Sequence, residues 1–396
     1  MDLIKSKKKC KIQRMIITKS NELKEICQRF ATYPFVTVDT EFLREHTFYP
    51  KLCLIQVASQ DEAYCIDPLS NELDLDPFFE LMDNPKVVKV FHSARQDVEN
   101  FYCLTKKIPT PLFDTQVAAM VCGYGDCVGY EQLVLDLMQV QIDKSMRYTD
   151  WSKRPLTSAQ EKYALNDVTY LRDVYVLLKS KLEEMNRFSW IEEEMSLLSH
   201  KELYDPSDAQ IAGKIKYNFR TDNLKYLYQD LYLWREHKAK CLDKPRRQIL
   251  RDEVLQELVK AHPKTIDELK NLRGITSSFF KNGFSQEVLD VINQSLIKEK
   301  GAFFPLPIEK NTHSNKKKLL RMLQLLLDLI GIKEKTATKI IALQDELDCF
   351  AGGNLSVRFL SGWRYEIFGK YAVQLRNGEL FLGYNPQTCQ IEFKLL

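Results

Sequence analysis

The sequence predicts an α/β domain with a mixed sheet, followed by an all-helical region. Up to about residue 200, short runs rich in β-forming residues alternate with longer segments of helical periodicity, as in layered α/β proteins. A turn-forming cluster at 204–209 ends this pattern. Beyond it, apolar side chains recur every three or four residues, which marks one face of a helix. A chain of 396 residues also exceeds one ordinary domain.

The strand-like and helical segments of the first part follow one another along the chain. The predicted strands are 15–18, 35–38, 52–58, 63–66 and 87–91. The predicted helices are 21–30, 93–103, 115–121, 130–138 and 158–185. Ser93 has the side chain to cap the second of these helices, and Asp114 the third. Strands that come first, followed by helices around a further strand, favour a mixed sheet.

The second part reads as helical up to its last residues. Leu224, Leu227, Leu231 and Trp234 lie on one face of a helix. Prolines at 301–308 interrupt the pattern, a further helical set covers about 315–375, and two short strands are predicted at 379–383 and 389–394. The predicted organisation is therefore a basic lead-in at 1–14, an α/β domain at 15–204, helical domains at 210–300 and 309–380, and a strand pair or tail at 381–396.

Charge is distributed unevenly between the two parts. Residues 15–200 carry a net charge of −10 and residues 211–300 a net charge of +6, within a total of +3. An acidic part that attracts cations is thus joined to a basic part suited to polyanions, although solvated helix faces would give the same asymmetry. The ten cysteines form no C-x-x-C pair, and no apolar run approaches membrane length. These features predict reduced thiols, no zinc site and a cytoplasmic protein without membrane contact.

Two carboxylates in a strand-like run are the strongest chemical signal. Asp39 and Glu41 are two residues apart, so their side chains project to the same side of a strand. Buried together, they would repel each other unless they were protonated or bound to a metal ion. Mg²⁺ and Mn²⁺ prefer oxygen ligands, so a hard divalent cation suits the pair. An exposed acidic pair on an edge strand is the alternative for this motif taken alone.

Three further residues extend the pair into a candidate catalytic site. Tyr163 and Asp167 are four residues apart and share one face of a helix, and Asp97 lies early in another predicted helix. Four carboxylates on separate elements could hold two cations about 4 Å apart, the spacing used for in-line phosphoryl displacement. The Tyr163 phenol would orient the attacking water, since with an ordinary pKa near 10 it is a poor base.

Longer motifs around these residues resemble those of a known family. Residues 39–56, DTEFLREHTFYPKLCLIQ, resemble the first exonuclease motif of ribonuclease D, and 92–97 and 163–171 resemble the second and third. The third motif is of the kind found in the tyrosine-bearing branch of the DEDD exonucleases. Residues 232–252, YLWREHKAKCLDKPRRQILRD, resemble the HRDC domain, and LSGWR at 360–364 resembles part of ribonuclease D C-termini.

The resemblance implies a fold and an activity. It implies a ribonuclease H-like exonuclease domain followed by two all-α HRDC-type domains. It implies metal ligation by Asp39, Glu41, Asp97 and Asp167, with two Mg²⁺ or Mn²⁺ ions, and a water-positioning role for Tyr163. The implied activity is removal of 5′-mononucleotides from RNA 3′ ends, with tRNA precursors that carry single-stranded 3′ tails as substrates. A monomer without a stable protein partner is expected.

Candidate contacts to the nucleic acid are aromatic, apolar and basic residues near these motifs. Aromatic side chains can stack on bases and arginines can hold phosphates, but each has a structural alternative in the core or in an ion pair. The candidates are Phe42, Leu43, Phe48, Tyr130, Arg154, Lys244, Arg246 and Arg247. His92 is expected to be structural, because ions that prefer oxygen rarely need imidazole.

Two other functions are compatible with the same scaffold. A DNA-directed proofreading or repair exonuclease would use the same carboxylates, and sensitivity to the 2′-hydroxyl would distinguish it from a ribonuclease. A non-catalytic RNA-binding adaptor would be expected to lack at least one carboxylate, whereas this chain has all four.

Overall fold

The structure is a computed structural model that describes residues 15–306 and 314–395. A six-stranded mixed sheet forms the centre of the first part, with the strand order β1-β4-β3-β2-β5-β6. The strands are β1 (Ile16–Ile17), β2 (Phe35–Leu43), β3 (Lys51–Ala58), β4 (Ala63–Ile66), β5 (Val88–Phe91) and β6 (Leu112–Asp114). β2 pairs antiparallel with β3 and parallel with β5, which confirms the predicted mixed sheet.

Seven helices accompany the sheet, and the longest is α6. They are α1 (Ser20–Phe30), α2 (Asp76–Asp83), α3 (Arg95–Thr105), α4 (Thr115–Val121), α5 (Tyr130–Met138), α6 (Ser158–Glu184) and α7 (Phe188–Leu198). α6 crosses β2, β3 and β4. The Thr37 hydroxyl on β2 donates a 2.7 Å hydrogen bond to the Val168 carbonyl on α6. This contact fixes the helix over the strand that bears the predicted acidic pair.

The rest of the described chain is helical up to a final β-hairpin. The next helices are α8 (Asp208–Gly213), α9 (Asp222–Cys241), α10 (Arg246–Ile249), α11 (Asp252–Ala261), α12 (Ile266–Lys270), α13 (Ser277–Lys281) and α14 (Phe284–Ile297). The last are α15 (Ser314–Glu334), α16 (Thr338–Ile341), α17 (Gln344–Ala351), α18 (Gly362–Arg364) and α19 (Lys370–Asn377), with a π-turn at Tyr365–Gly369 between the final two. Strands β7 (Leu380–Asn385) and β8 (Gln390–Leu395) form the hairpin.

The structure has two large apolar cores, and each contains residues from parts of the chain that are far apart in the sequence. One core combines residues of the sheet domain with Leu323, Ile330, Phe350, Phe368 and other residues of the α15–α19 region. The other core lies between α8 and α14 but also takes in Phe48 from the sheet domain. The last helical region therefore shares a continuous core with the sheet domain. The predicted domain limits within the described chain stay predictions.

Two local expectations are changed by the structure. α3 begins at Arg95, and Ser93 does not cap it, because Ser93 has a positive φ of 63° and its backbone N–H donates to Asp114. β6 was not expected as a strand, since three residues are too short for a recognisable pattern.

The predicted lead-in at 1–14 and the start of the second helical domain at 309 lie outside the described residues. Within residues 15–306 and 314–395, no helix has both the length and the apolar composition that a membrane crossing requires.

Candidate active site

The structure brings three of the predicted carboxylates together. Asp39 and Glu41 lie on β2, and Asp167 lies on α6 above that strand. One carboxylate oxygen from each residue lies within 4.8 Å of the others. Among residues 15–306 and 314–395, no other three acidic, histidine or cysteine side chains converge in this way.

The position of Asp167 and Tyr163 follows from how α6 begins. The Thr157 hydroxyl accepts a hydrogen bond from the Gln160 backbone N–H, and the Gln160 side chain accepts one from the Thr157 N–H. This capping box satisfies two backbone donors at the start of the helix. Tyr163 and Asp167 follow on one face of the helix, and both line the same cleft.

Asp97 lies beside the cluster of three but is held separately. It is buried in the first turn of α3 and lines the cleft. The Thr40 hydroxyl, between Asp39 and Glu41, donates a 2.5 Å hydrogen bond to Asp97 Oδ1. Thr40 in turn accepts a 3.3 Å bond from the Asn100 amide. The structure therefore places Asp97 at the edge of the acidic site, and its role as a metal ligand stays a prediction.

Burial raises the pKa values of all four carboxyl groups, and repulsion from neighbouring carboxylates raises three of them further. Burial raises the pKa of Asp39 to about 6. Burial and then the charges of Asp39, Asp167 and Asp97 raise the pKa of Glu41 to about 10, against the opposing effect of Arg147. The pKa values of Asp97 and Asp167 are raised well above the usual range, first by burial and then by Asp39. Such a group of buried anions is stabilised by a nearby cation.

The carboxylates open into a cleft of about 580 Å³. Phe42 and Tyr130, two of the candidate RNA contacts, also line this cleft. The Tyr130 hydroxyl donates to the Asn166 carbonyl at 2.9 Å, so its ring edge is fixed against α6. Whether these two aromatic residues contact RNA stays a prediction.

His92 and Asp114 support the cleft from within the protein. The two imidazole nitrogens of His92 are hydrogen bonded to Thr115 Oγ1 at 3.0 Å and to the Val128 carbonyl at 3.1 Å. Asp114 caps α4 by accepting from the Gln116 N–H at 2.8 Å. Both residues therefore have the structural contacts that the sequence analysis expected.

Two of the candidate RNA contacts, Arg154 and Leu43, do not line the cleft. Arg154 forms an ion pair and Leu43 packs in a core, which are the structural roles considered as alternatives. Arg154 donates to both carboxylate oxygens of Asp67, at 2.6 and 2.7 Å, and to the Cys53 carbonyl. Its guanidinium is occupied by these acceptors and cannot also hold a phosphate in this arrangement. Leu43 lies on the same face of β2 as Asp39 and Glu41, but beyond the cleft, where it packs against the small core around Cys53 and Trp151.

Phe48 and the basic candidates lie at or near the first helical domain. Phe48 is buried in that domain's core, with the Arg246 guanidinium 4.8 Å above its ring, so it is not open to a base. Arg246 is also paired with the buried Glu236. Lys244 and Arg247 are exposed, and Arg247 lies 3.5 Å from Glu253. Of the three basic candidates, only Lys244 and Arg247 remain available for a phosphate.

Sequence reasoning missed several residues that line the cleft, among them Glu131, Arg147 and Tyr148. Glu131 lies at the start of α5, and the other two lie in the segment between α5 and α6, which has no regular structure. A single arginine followed by a tyrosine in such a segment gives no periodic or motif signal. Only the folded chain shows that they face the carboxylates.

The donor set fits a divalent metal ion. Carboxylate oxygens are the ligands that hard divalent cations prefer, and the cluster of Asp39, Glu41 and Asp167 offers three of them in one place. The pKa values of all three groups are raised, and a bound cation would favour their ionised form. These three residues are therefore suited to hold the metal that the fold implies.

Comparisons with known proteins agree with this site. A family model described as 3′-5′ exonuclease matches residues 15–183, and one described as HRDC domain matches residues 225–292. The fold and the acidic cluster thus define a 3′-5′ exonuclease with an HRDC region. The second HRDC-type domain predicted at 309–380 stays a prediction.

Full-length relatives identify the family. The chain is 41% identical to the ribonuclease D of Bartonella henselae, over 96% of this chain and 94% of that protein. It is also 41% identical to the ribonuclease D of a Jannaschia species, over 95% and 98%. The crystal structure of Escherichia coli RNase D matches 93% of this chain and 99% of its own, with a TM-score of 0.79 and 25% identity. The chain belongs to the ribonuclease D family and is a 3′-5′ exoribonuclease.

Proposed function

We propose that the enzyme hydrolyses the 3′-terminal phosphodiester of RNA and releases 5′-mononucleotides, with two Mg²⁺ or Mn²⁺ ions at the acidic site. The observation that carries this proposal is the convergence of the Asp39, Glu41 and Asp167 oxygens within 4.8 Å. Asp97, which lines the same cleft, is proposed as the fourth ligand. Bound divalent cations make the attacking water easier to deprotonate and stabilise charge on the leaving oxygen.

The protein's own residues would hold and orient the reactants. The four carboxyl groups are held in position by β2, α3 and α6 before any substrate arrives. The Tyr163 phenol lies among them, and burial and then the charges of Asp167 and Glu41 raise its pKa well above the usual range. It therefore stays protonated at neutral pH and would donate a hydrogen bond, so it would orient water and would not act as a base.

Substituting single carboxylates tests this assignment. Asp39→Asn and Glu41→Gln should abolish release of mononucleotides from a 5′-labelled oligoribonucleotide, because each removes a ligand charge at the convergence point. Glu72→Gln is the matched control, since Glu72 is exposed and its hydrogen bonds within the described chain are made by its backbone. Thermal unfolding of each variant would show that folding is retained. Near-normal activity of folded Asp39→Asn would contradict the proposal.

For the substrate we propose tRNA precursors with single-stranded 3′ tails, processed by a cytoplasmic monomer. Support comes from the basic charge of residues 211–300 and from the similar RNase D of E. coli, an exoribonuclease involved in structured RNA processing. The test compares a tRNA precursor that carries a 3′ tail with an unstructured RNA of the same length. A lower KM for the precursor is expected, and equal KM values would contradict a preference for structured RNA. A DNA copy of the tail should be a poor substrate, because it lacks the 2′-hydroxyl.

A further inference from the structure

The segment between α5 and α6 places one cation opposite the acidic cluster. Of the charged side chains that line the cleft, Asp39, Glu41, Asp97, Glu131 and Asp167 are acidic. Arg147 is the one permanently cationic residue among the described residues that line it. Its charge opposes the rise in pKa of Glu41 and Asp167, which shows that it lies within electrostatic range of both.

Arg147 has no hydrogen-bonded or ion-paired partner within the described part of the chain. Its guanidinium lies over the ring of the adjacent Tyr148, 5.6 Å from the ring centroid. Arg154, by contrast, is saturated by Asp67 and backbone carbonyls. An arginine carries five donors in a fixed fork that matches phosphate oxygens. In a cleft for a polyanion, such a fork is suited to a phosphate.

The segment that carries Arg147 is anchored on both sides. Ile142 before it and Trp151 after it are buried in apolar cores. Lys144 lies 3.7 Å from the Glu131 carboxylate on α5. Thr149 accepts a 3.2 Å hydrogen bond from the Gln160 amide in the first turn of α6. These contacts hold the tip of the segment, and with it Arg147, at the mouth of the acidic cleft.

Tyr148 presents an open aromatic surface next to the cation. Its side chain is 91% exposed, although it lines the cleft. A single-stranded nucleic acid offers bases that stack on such exposed rings. The pair therefore combines the two kinds of contact that single-stranded RNA recognition uses. Arg147 offers hydrogen-bond donors for a phosphate, and Tyr148 offers a ring on which a base can stack.

We propose that Arg147 binds a phosphate of the single-stranded 3′ end of the RNA and that Tyr148 stacks on a neighbouring base. The proposal rests on the proposed function, because it supplies the substrate contacts of that same site. In this proposal the segment between α5 and α6 guides the RNA tail into the cleft, and the helical domains are not required for that step.

The test measures kcat/KM on a short single-stranded oligoribonucleotide, which occupies the cleft without needing the helical domains. Arg147→Ala should lower kcat/KM by about ten- to a hundredfold, the usual effect of losing a charge-assisted hydrogen bond. The slope of log kcat/KM against log salt concentration should become shallower by about 0.7, the value for one phosphate contact on a single strand. Arg147→Lys should keep the slope. Arg220→Ala is the matched control, since it removes the same charge from an exposed arginine outside the cleft.

Tyr148 is tested in parallel. Tyr148→Ala should raise KM by about five- to a hundredfold, whereas Tyr148→Phe should retain the wild-type KM, because stacking needs the ring and not the hydroxyl. If Arg147→Ala keeps both the rate and the salt slope of Arg220→Ala, the assignment of Arg147 is overturned. A loss of rate with an unchanged slope would also overturn it, since a purely structural role gives that result. Asp39→Asn is run alongside: if it stays active, the proposed function itself fails.

Discussion

At the scale of single residues, Tyr163 shows how the acidic surroundings define a role. The phenol is half-buried on α6 and packs near Trp151, with their ring centroids 6.0 Å apart. Burial and the adjacent carboxylates raise its pKa well above the usual range, so its proton is retained at neutral pH. Among carboxylates that can only accept once a metal ion keeps them ionised, the hydroxyl offers one of the few hydrogen-bond donors. This makes it a water-orienting group.

Removing only the hydroxyl tests that role. Tyr163→Phe should lower kcat by about a hundredfold with little change in KM, because a misplaced water loses the reactive geometry while RNA contacts persist. Tyr33→Phe is the matched control, since it removes a hydroxyl that binds Asp61 on the exposed surface. The measurement is multiple-turnover cleavage of a labelled oligoribonucleotide over a range of substrate concentrations. Wild-type kcat in Tyr163→Phe would rule out the orienting role.

At the scale of elements, the start of α6 is the part on which the site most depends. The helix carries Tyr163 in its second turn and Asp167 one turn later, so fraying of its first turn would move both. The capping box of Thr157 and Gln160 opposes this fraying, and Gln160 also donates to Thr149 in the segment that carries Arg147. One short stretch of sequence thus positions two walls of the cleft.

Loss of this cap should affect stability and activity together. Thr157→Ala removes the hydroxyl that accepts from the Gln160 N–H, which should lower the free energy of unfolding by about 1 kcal/mol. It should also reduce kcat, because the turn before Tyr163 loosens. Ser207→Ala removes the equivalent cap of α8, far from the carboxylates. The two variants are compared by denaturant unfolding and by cleavage rate. An equal effect of both on cleavage would contradict the positional role of the α6 cap.

At the scale of the whole molecule, hydrogen bonds and a shared apolar core join the last helical region to the sheet domain. Arg187, just before α7, donates to the Glu334 carbonyl and to the Thr336 hydroxyl, both at 2.7 Å. Thr336 in turn donates to the Val121 carbonyl at 3.0 Å, and the Ala337 N–H donates to Met120 at 2.9 Å. These bonds join the end of α4 to the turn after α15 above a shared apolar core. The two regions should therefore unfold as one unit.

Two glycines in the loop after α4 provide a matched test of this junction. Gly123 and Gly125 both have positive φ, +82° and +96°, so alanine at either position costs about 1–2 kcal/mol of backbone strain. An added Cβ at Gly123 would also collide with the Lys335 carbonyl, whereas at Gly125 nothing lies within 4 Å. Gly123→Ala should therefore be less stable than Gly125→Ala by about 1–3 kcal/mol in denaturant unfolding. Equal losses of stability in the two variants would mean that the loop after α4 and the turn at Lys335 separate without cost.

The candidate chemistry and the class of fold could both be predicted from local sequence patterns. Asp39 and Glu41 on one strand, and Tyr163 and Asp167 one helical turn apart, follow from the local periods of two and 3.6 residues. The mixed sheet followed by helices was also readable from these periods, and the extended motifs indicated the ribonuclease D family. Such features depend on residues that are close along the chain, so they are encoded locally.

The contacts of the remaining side chains became known only from the folded chain. Arg154 and Arg147 are both arginines near the third motif, but one is saturated by Asp67 and the other faces the carboxylates. Phe48 likewise is not available to contact RNA, because a helical domain that lies far away in the sequence buries it. These outcomes depend on partners that are tens to hundreds of residues away in the sequence. No local pattern specifies such partners, since they become neighbours only when the apolar cores close.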